Sequence, residues 1–209
     1  MRRLWLLFCL ALAVALAVAL PAWAHDGHGD EDIGFFEEGE SNSDYFLRKS
    51  DEAFHLGDYE RAVQLHRARV AIDPEAIDSW GGGAWLLWSM GRSDEAAEFI
   101  ERGLKTNPDN WEMWDEAGEH YDFQKRLARA EECYKRAVEL LPPDEPSQML
   151  RRRLAHAADK AGDFQTAVET WRGLVRDFPD EAVNRNNLRR VENLMDELAA
   201  ERARAAGAR

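Results

Sequence analysis

An all-α, right-handed solenoid of about four helix-turn-helix repeats, closed by a C-terminal capping helix, is the fold this sequence predicts. Three observations predict it. Ala62, Ala96 and Ala130 recur every 34 residues, and Pro74, Pro108 and Pro142 keep the same interval. Gly57 and Gly91 share the spacing, as do Trp80 and Trp114. A fourth copy of the frame, Gly162, Ala167 and Pro179, follows after a three-residue slip at Pro142-Pro143-Asp144-Glu145-Pro146. A period of roughly 20–50 residues marks stacked supersecondary units, none of which can bury its apolar face alone.

The chain begins with Arg2 and Arg3, an apolar run from Leu4 to Leu20, and Ala22-Trp23-Ala24. A basic start, an apolar core and an Ala-x-Ala site predict a secretory signal peptide over residues 1–24, cut after Ala24. The alternative is an uncleaved anchor, because the run sits at the short limit for a membrane span. Cys9 lies inside the run, too early for a lipoprotein anchor. The expected location is periplasmic or secreted, with no stable membrane insertion once the leader is gone. Residues 25–42 follow as an acidic, His-containing tail of disordered composition. Its Ile33-Gly34-Phe35-Phe36 patch reads as a docking segment, for the first repeat or for a partner.

The helical frame then runs to residue 181. Gly57, Gly91 and Gly162 stand where two helices reverse, since Gly accepts positive φ without steric cost. Asp58, Ser93 and Asp163 follow as expected N-caps. The alanines are small where antiparallel helices cross closely. The prolines end second helices, lacking the amide donor and clashing with the preceding turn. Beyond residue 181, Val183, Leu188, Val191, Leu194, Met195 and Leu198 recur near the helical period. They predict an amphipathic capping helix within 182–209 whose polar face seals the solenoid. A homodimer through the same apolar stripe is the alternative reading.

This frame resembles the tetratricopeptide repeat. Phe46, Gly57, Tyr59, Ala62 and Pro74 match it in repeat 1 (43–76). Trp80, Ala84, Gly91, Ala96 and Pro108 match in repeat 2 (77–110). Trp114, Gly118, Tyr121, Ala130, Tyr134, Ala137 and Pro142 do so in repeat 3 (111–144), and Ala155, Gly162, Phe164, Ala167, Trp171 and Pro179 in repeat 4 (148–181). The departures are Lys125 for the turn glycine of repeat 3, His66 and Arg69 at aromatic and small positions, and Arg151 for an aromatic. Each is expected to weaken a contact without undoing the frame.

The resemblance implies a concave groove lined by the first helix of each repeat. On that register the candidate partner-binding residues are Asp51, Phe54, Asp78, Trp85, Trp88, Asp115, Glu119, Asp122 and Phe123. Repeat 4 turns basic there, with Arg152 and Lys160. Trp80 and Trp114 take the core position. Whether Trp85 and Trp88 face groove or core is open, as is the reason for Gly81-Gly82-Gly83 directly before them. Carboxylates beside aromatic rings suit a protein or peptide partner that is basic or amphipathic. The Lys and Asn clamp with which some family members hold C-terminal carboxylates is absent.

Charge and cysteine content narrow the class further. The formal net charge is −13, and removing Arg2 and Arg3 with the leader takes it to −15. Such a chain repels phosphate, so nucleic acid is excluded as a partner. After leader cleavage only Cys133 remains, so no internal disulfide can form. Cys133 is expected to be a small buried group. No phosphate loop, Gly-x-Ser-x-Gly, Cys-x-x-Cys or His-Glu-x-x-His occurs, so the reading is non-enzymatic with no cofactor. Asp115, Glu119 and Asp122 share a helical face and could in principle do acid-base work, but a partner-facing surface accounts for them. The expected function is a protein-interaction scaffold of the cell envelope. The alternative is a metal-handling export factor using the tail, with His25 and His28 as weak candidate ligands.

Overall fold

The computed structural model describes residues 39–144 and 147–207. The leader, the tail with His25 and His28, and the Ile33–Phe36 patch lie outside the described residues. So do Glu145 and Pro146 in the period break.

Among the described residues the chain is a run of antiparallel helix pairs with no strand. The pairs are α1 (Asn42–His55) with α2 (Tyr59–Ile72), α3 (Ile77–Ser89) with α4 (Ser93–Thr106), α5 (Trp111–Phe123) with α6 (Leu127–Leu140), and α7 (Gln148–Ala161) with α8 (Phe164–Asp177). A longer helix, α9 (Ala182–Gly207), follows. Each helix packs on its neighbour in the chain, and α3 also packs on α5. No described helix is long and apolar enough to cross a membrane.

The frame residues do physical work at the helix ends. Every second helix stops two residues before a frame proline. The residue preceding Pro74, Pro108 and Pro179 leaves helical geometry, with ψ of 82° at Asp73, 58° at Asn107 and 69° at Phe178. Gly57, Gly91 and Gly162 turn with φ of 78°, 80° and 87°. Lys125 takes their place in repeat 3 at φ 60°, the single non-glycine with positive φ among the described residues. Asp58 and Asp163 cap α2 and α8 through their carboxylates. Ser93 is not a cap, contrary to expectation. The cap position follows the glycine directly, and in repeat 2 that residue is Arg92, which has no side-chain acceptor to offer. Arg92 binds Glu95 and Glu60 instead.

The indole N–H groups of Trp80 and Trp114 give the tryptophan spacing its meaning. Each donates to the frame-proline carbonyl six residues before it, Pro74 at 3.0 Å and Pro108 at 2.8 Å. Asn107 Nδ2 also donates to the Pro74 carbonyl at 2.9 Å, tying the end of repeat 2 to that of repeat 1. At the last repeat Arg185 of α9 donates to the Pro179 carbonyl from the same offset.

Ala62, Ala96, Ala130 and Ala167 are fully buried at the crossings, and Cys133 is buried beside them. The apolar core divides within α7. Leu150, Leu154 and Ala157 join the core of repeats 1–3, whereas Ala155 and Ala158 join Trp171, Leu174 and Val191. Leu188 and Met195 pack on that second cluster with Val191, so this part of the predicted stripe caps repeat 4; Val183 stays exposed.

Candidate functional site

The first helices α1, α3 and α5 carry every residue of the predicted site, and α7 adds the basic Arg152 and Lys160 beside them. Two kinds of contact join them. Towards the N-terminus the contacts are aromatic. Phe54 of α1 meets Trp85 of α3 at 6.1 Å between ring centroids, and also touches Tyr59. Trp88 of α3 stacks on Phe123 of α5 at 5.6 Å and 17°. Trp85 and Phe123 each keep 40% of their surface in solvent. Trp88 and Phe54 are half-buried against the core. Trp85 is therefore a surface ring, and Trp88 bridges surface and core.

Towards the C-terminus the contacts are ionic. Arg153 of α7 binds Asp115 at 2.6 Å and Glu119 at 3.3 Å, both on α5. Lys160 binds Asp122 at 2.6 Å, and Arg190 of α9 binds Asp159 at 2.5 Å. Asp78 of α3 binds Arg69 at 2.6 Å, and Asp51 lies 3.4 Å from His55 in its own helix. Asp78, Asp115, Glu119 and Asp122 are thus matched by cations of the chain itself, whereas Asp51 has the His55 ring beside it. Sequence reading placed Arg152 and Lys160 on this face but missed Arg153, whose register is one position further on.

The glycine run has a structural cause. A Cβ at Gly81 would overlap the Glu116 carboxylate of α5, one at Gly82 would lie 3.2 Å from the His66 ring, and one at Gly83 would lie 2.7 Å from Phe99 Cε1. Side chains from α2, α4 and α5 therefore press directly on the α3 backbone. A Cβ on any of the three would meet one of these side chains. His66 and Arg69, at the departing positions of repeat 1, enter a polar network. His66 Nδ1 lies 3.1 Å from Ser79 Oγ. Arg69, itself buried, donates to Ser79 Oγ at 2.9 Å, Asp78 at 2.6 Å and Ser43 Oγ at 2.9 Å. This polar network joins repeats 1 and 2, and its buried groups are satisfied as burial demands. Arg151, at the Trp position of repeat 4, binds Asp177 and lies over Gly173.

Glu116 was not singled out by sequence reading. It lies between two cavities on the α3–α5 seam. One, of about 290 Å³, is lined by Gly81, Gly82, Trp85, Glu116, Glu119, His120 and Phe123. The other, of about 530 Å³, runs past Arg69, Asp78, Trp111, Glu112 and Asp115 to Glu116. Burial, with Glu119 and Asp115 adding repulsion, raises the Glu116 carboxyl to about 7. Among the described residues it has no hydrogen-bond or ion-pair partner. Burial lowers His66 and His120 to about 4, so both rings are neutral at pH 7. Among the described residues no cluster of His, Cys, Asp and Glu could hold a metal ion.

These helix pairs, turned at glycine and ended at proline around small crossing residues, define a helical-repeat solenoid with an aromatic and charged first-helix face. The profile of the tetratricopeptide repeat matches residues 82–145. An uncharacterized protein of Methanocaldococcus jannaschii is 31% identical over 68 residues, spanning 32% of this chain and 79% of the relative. The chain belongs to the tetratricopeptide repeat family. Among solved structures, a chain of the Naa15/Naa10 assembly bound to HypK-THB superposes with a TM-score of 0.59 at 20% identity. That match covers 77% of this chain but only 24% of the other, so the protein spans about a quarter of it. MamA from Desulfovibrio magneticus RS-1 superposes at 0.56 with 16% identity, covering 77% of this chain and 90% of MamA. These likenesses are of fold.

Proposed function

We propose that this protein is a non-catalytic scaffold of the cell envelope that holds an extended segment of another protein across α1, α3 and α5. The observation that carries the reading is the aromatic row Phe54, Trp85, Trp88 and Phe123. Its outer rings stay exposed on consecutive first helices although the core is already filled by Trp80, Phe99, Tyr121 and Tyr134. Exposed aromatic surface with a charged surround is the composition of a protein-binding patch. Because Asp115, Glu119 and Asp122 are already paired, the partner is better described as amphipathic than as strongly basic. The envelope location rests on the leader read in residues 1–24.

The test is capture from an envelope fraction by the wild type and by Trp85→Ala/Phe123→Ala, with Glu98→Ala, exposed on α4, as a control. Loss of specific partners in the folded double variant, with the control unchanged, supports the assignment. Retention of every partner overturns it. The N-terminal mass of the protein purified from its native host reads the leader directly: a chain beginning at His25 supports export, and an intact Met1 start refutes cleavage.

A further inference from the structure

The smaller cavity on the α3–α5 seam sets two rings of the aromatic row beside Glu116, which the scaffold reading leaves unused. Its walls are the exposed rings of Trp85 and Phe123. Its floor is α3 backbone at Gly81, where the missing Cβ leaves room for the Glu116 carboxylate. Glu119 stands at its side, and the neutral His120 ring closes it.

We propose that this cavity receives one basic side chain of the bound segment, its alkyl stem between Trp85 and Phe123 and its charge on Glu116. This rests on the scaffold reading and names the chemistry it selects. Three arguments carry it. First, the volume of about 290 Å³ suits a single long side chain rather than a folded element. Second, aromatic faces beside a carboxylate are the groups that recognise an alkyl cation out of water. Third, the local charge is unbalanced. Arg153 is shared between Asp115 and Glu119, and Arg69 is taken by Asp78, which leaves one net negative charge around Glu116 before Glu116 itself ionises. Glu112 in the adjoining cavity adds to it. A cation entering there offsets the burial and the added repulsion that hold the Glu116 proton on.

The charged groups around Glu116 are therefore Glu112, Asp115 and Glu119 on its own helix, Asp78 on α3, Arg69 on α2 and Arg153 on α7. Glu119, Asp115 and Asp78 raise its proton affinity and Arg153 lowers it. Free Glu116 holds its proton up to about pH 7. Binding a cation expels that proton, so affinity rises about tenfold between pH 6 and pH 8 by linkage.

The experiment titrates the full chain, labelled with ¹⁵N, with n-butylammonium, n-butylguanidinium and n-butanol at pH 6 and pH 8. The Trp85 indole and the Gly81 and Gly82 amides report the cavity. A saturable shift with either cation, at least fivefold tighter than with butanol and about tenfold tighter at pH 8 than at pH 6, supports the inference. The tighter cation identifies lysine or arginine as the side chain received. Glu116→Gln keeps the side-chain outline and removes the charge, and it should abolish both the cation preference and the pH dependence. Butanol binding as well as the cations, or Glu116→Gln keeping the preference, overturns it. A partner still captured through Trp85 and Phe123 while no cation binds sinks this inference and leaves the scaffold standing.

Discussion

One face of this molecule is joined in two different ways. From α1 to α5 the first helices meet through rings, Phe54 on Trp85 and Trp88 on Phe123. From α5 to α9 they meet through charges, Arg153 and Lys160 on the acids of α5 and Arg190 on Asp159. The backbone frame is the same in both halves, so the difference lies in residues the frame does not specify. Rings leave room between them, because they pack on one side and stay open on the other. Long cations close the space above the helix seam. The aromatic half is consequently where the proposed partner segment would enter, and in the ionic half charges join α5, α7 and α9.

The largest effect is expected in the cores beneath the two halves. Trp171→Ala should cost about 3–5 kcal/mol, since the ring is fully buried. Its core is separate from that of repeats 1–3, so amides of α8 and α9 should exchange faster while those of α3 and α5 stay protected. Trp80→Ala carries a similar cost but should loosen repeats 1–3 together. Uniform loss of protection in both variants would show that the two halves are one cooperative unit.

Glu116 supplies the next effect, and its sign can be worked out. Its carboxyl is raised in the folded state from the ordinary 4.5 to about 7. Between those values the unfolded chain has released the proton and the folded chain still holds it. Stability from this group is therefore full below pH 4.5, falls as pH rises to 7, and levels off above it. Relative to Glu116→Gln, the wild type should lose on the order of 2 kcal/mol across that window. His66 and His120, lowered to about 4, act in the opposite direction, adding stability as pH rises from 4 to 6.5. Urea titrations of both proteins at pH 4.5, 6 and 8 isolate the carboxyl, and parallel stability curves would refute its burial against α3.

The frame was legible from sequence because proline, glycine and alanine act locally. Pro108 ends α4 and Gly91 turns the chain whatever surrounds them. The site was legible only in part. Periodicity placed Trp85 and Phe123 on the first-helix face, but their exposure depends on what crosses above them. The pairing of Asp115 with Arg153 joins residues 38 apart across a register slip, and no local pattern announces it. Glu116 escaped notice because it lies between Asp115 and Glu119 in a run that reads as solvated acids. Only the glycine opposite, Gly81, marks it as different, and that mark appears once α3 and α5 are side by side.

The glycine run also separates two kinds of close contact, with effects near 1 kcal/mol. Gly83→Ala places a methyl 2.7 Å from Phe99 and 3.2 Å from the His66 Cβ, both inside packed structure. Overpacking of ~1–3 kcal/mol then outweighs the gain of about 1 kcal/mol in helix propensity, and the variant should be less stable. Gly81→Ala meets only the end of the Glu116 side chain, which can swing away. There the propensity gain should win, leaving stability unchanged or raised by up to about 1 kcal/mol. Chemical denaturation of the pair, read as opposite signs from the same substitution, distinguishes a filled core from an open cavity; equal destabilisation would mean Glu116 is clamped.

The smallest effect concerns the turn where the two halves meet. Lys125 holds φ 60° where repeats 1, 2 and 4 use glycine. A side chain in that conformation is strained by roughly 1 kcal/mol, while glycine adopts it freely. Lys125→Gly also gains freedom in the unfolded chain, which takes back part of the relief. The net change should be a stabilisation of about 0.5 kcal/mol, and Gly91→Ala in the neighbouring turn should lose about 1 kcal/mol. Melting temperatures measured side by side would show the two turns moving in opposite directions. If Lys125→Gly instead destabilises, the lysine is holding the turn through its side chain, and the α5–α6 reversal differs in kind from the other three.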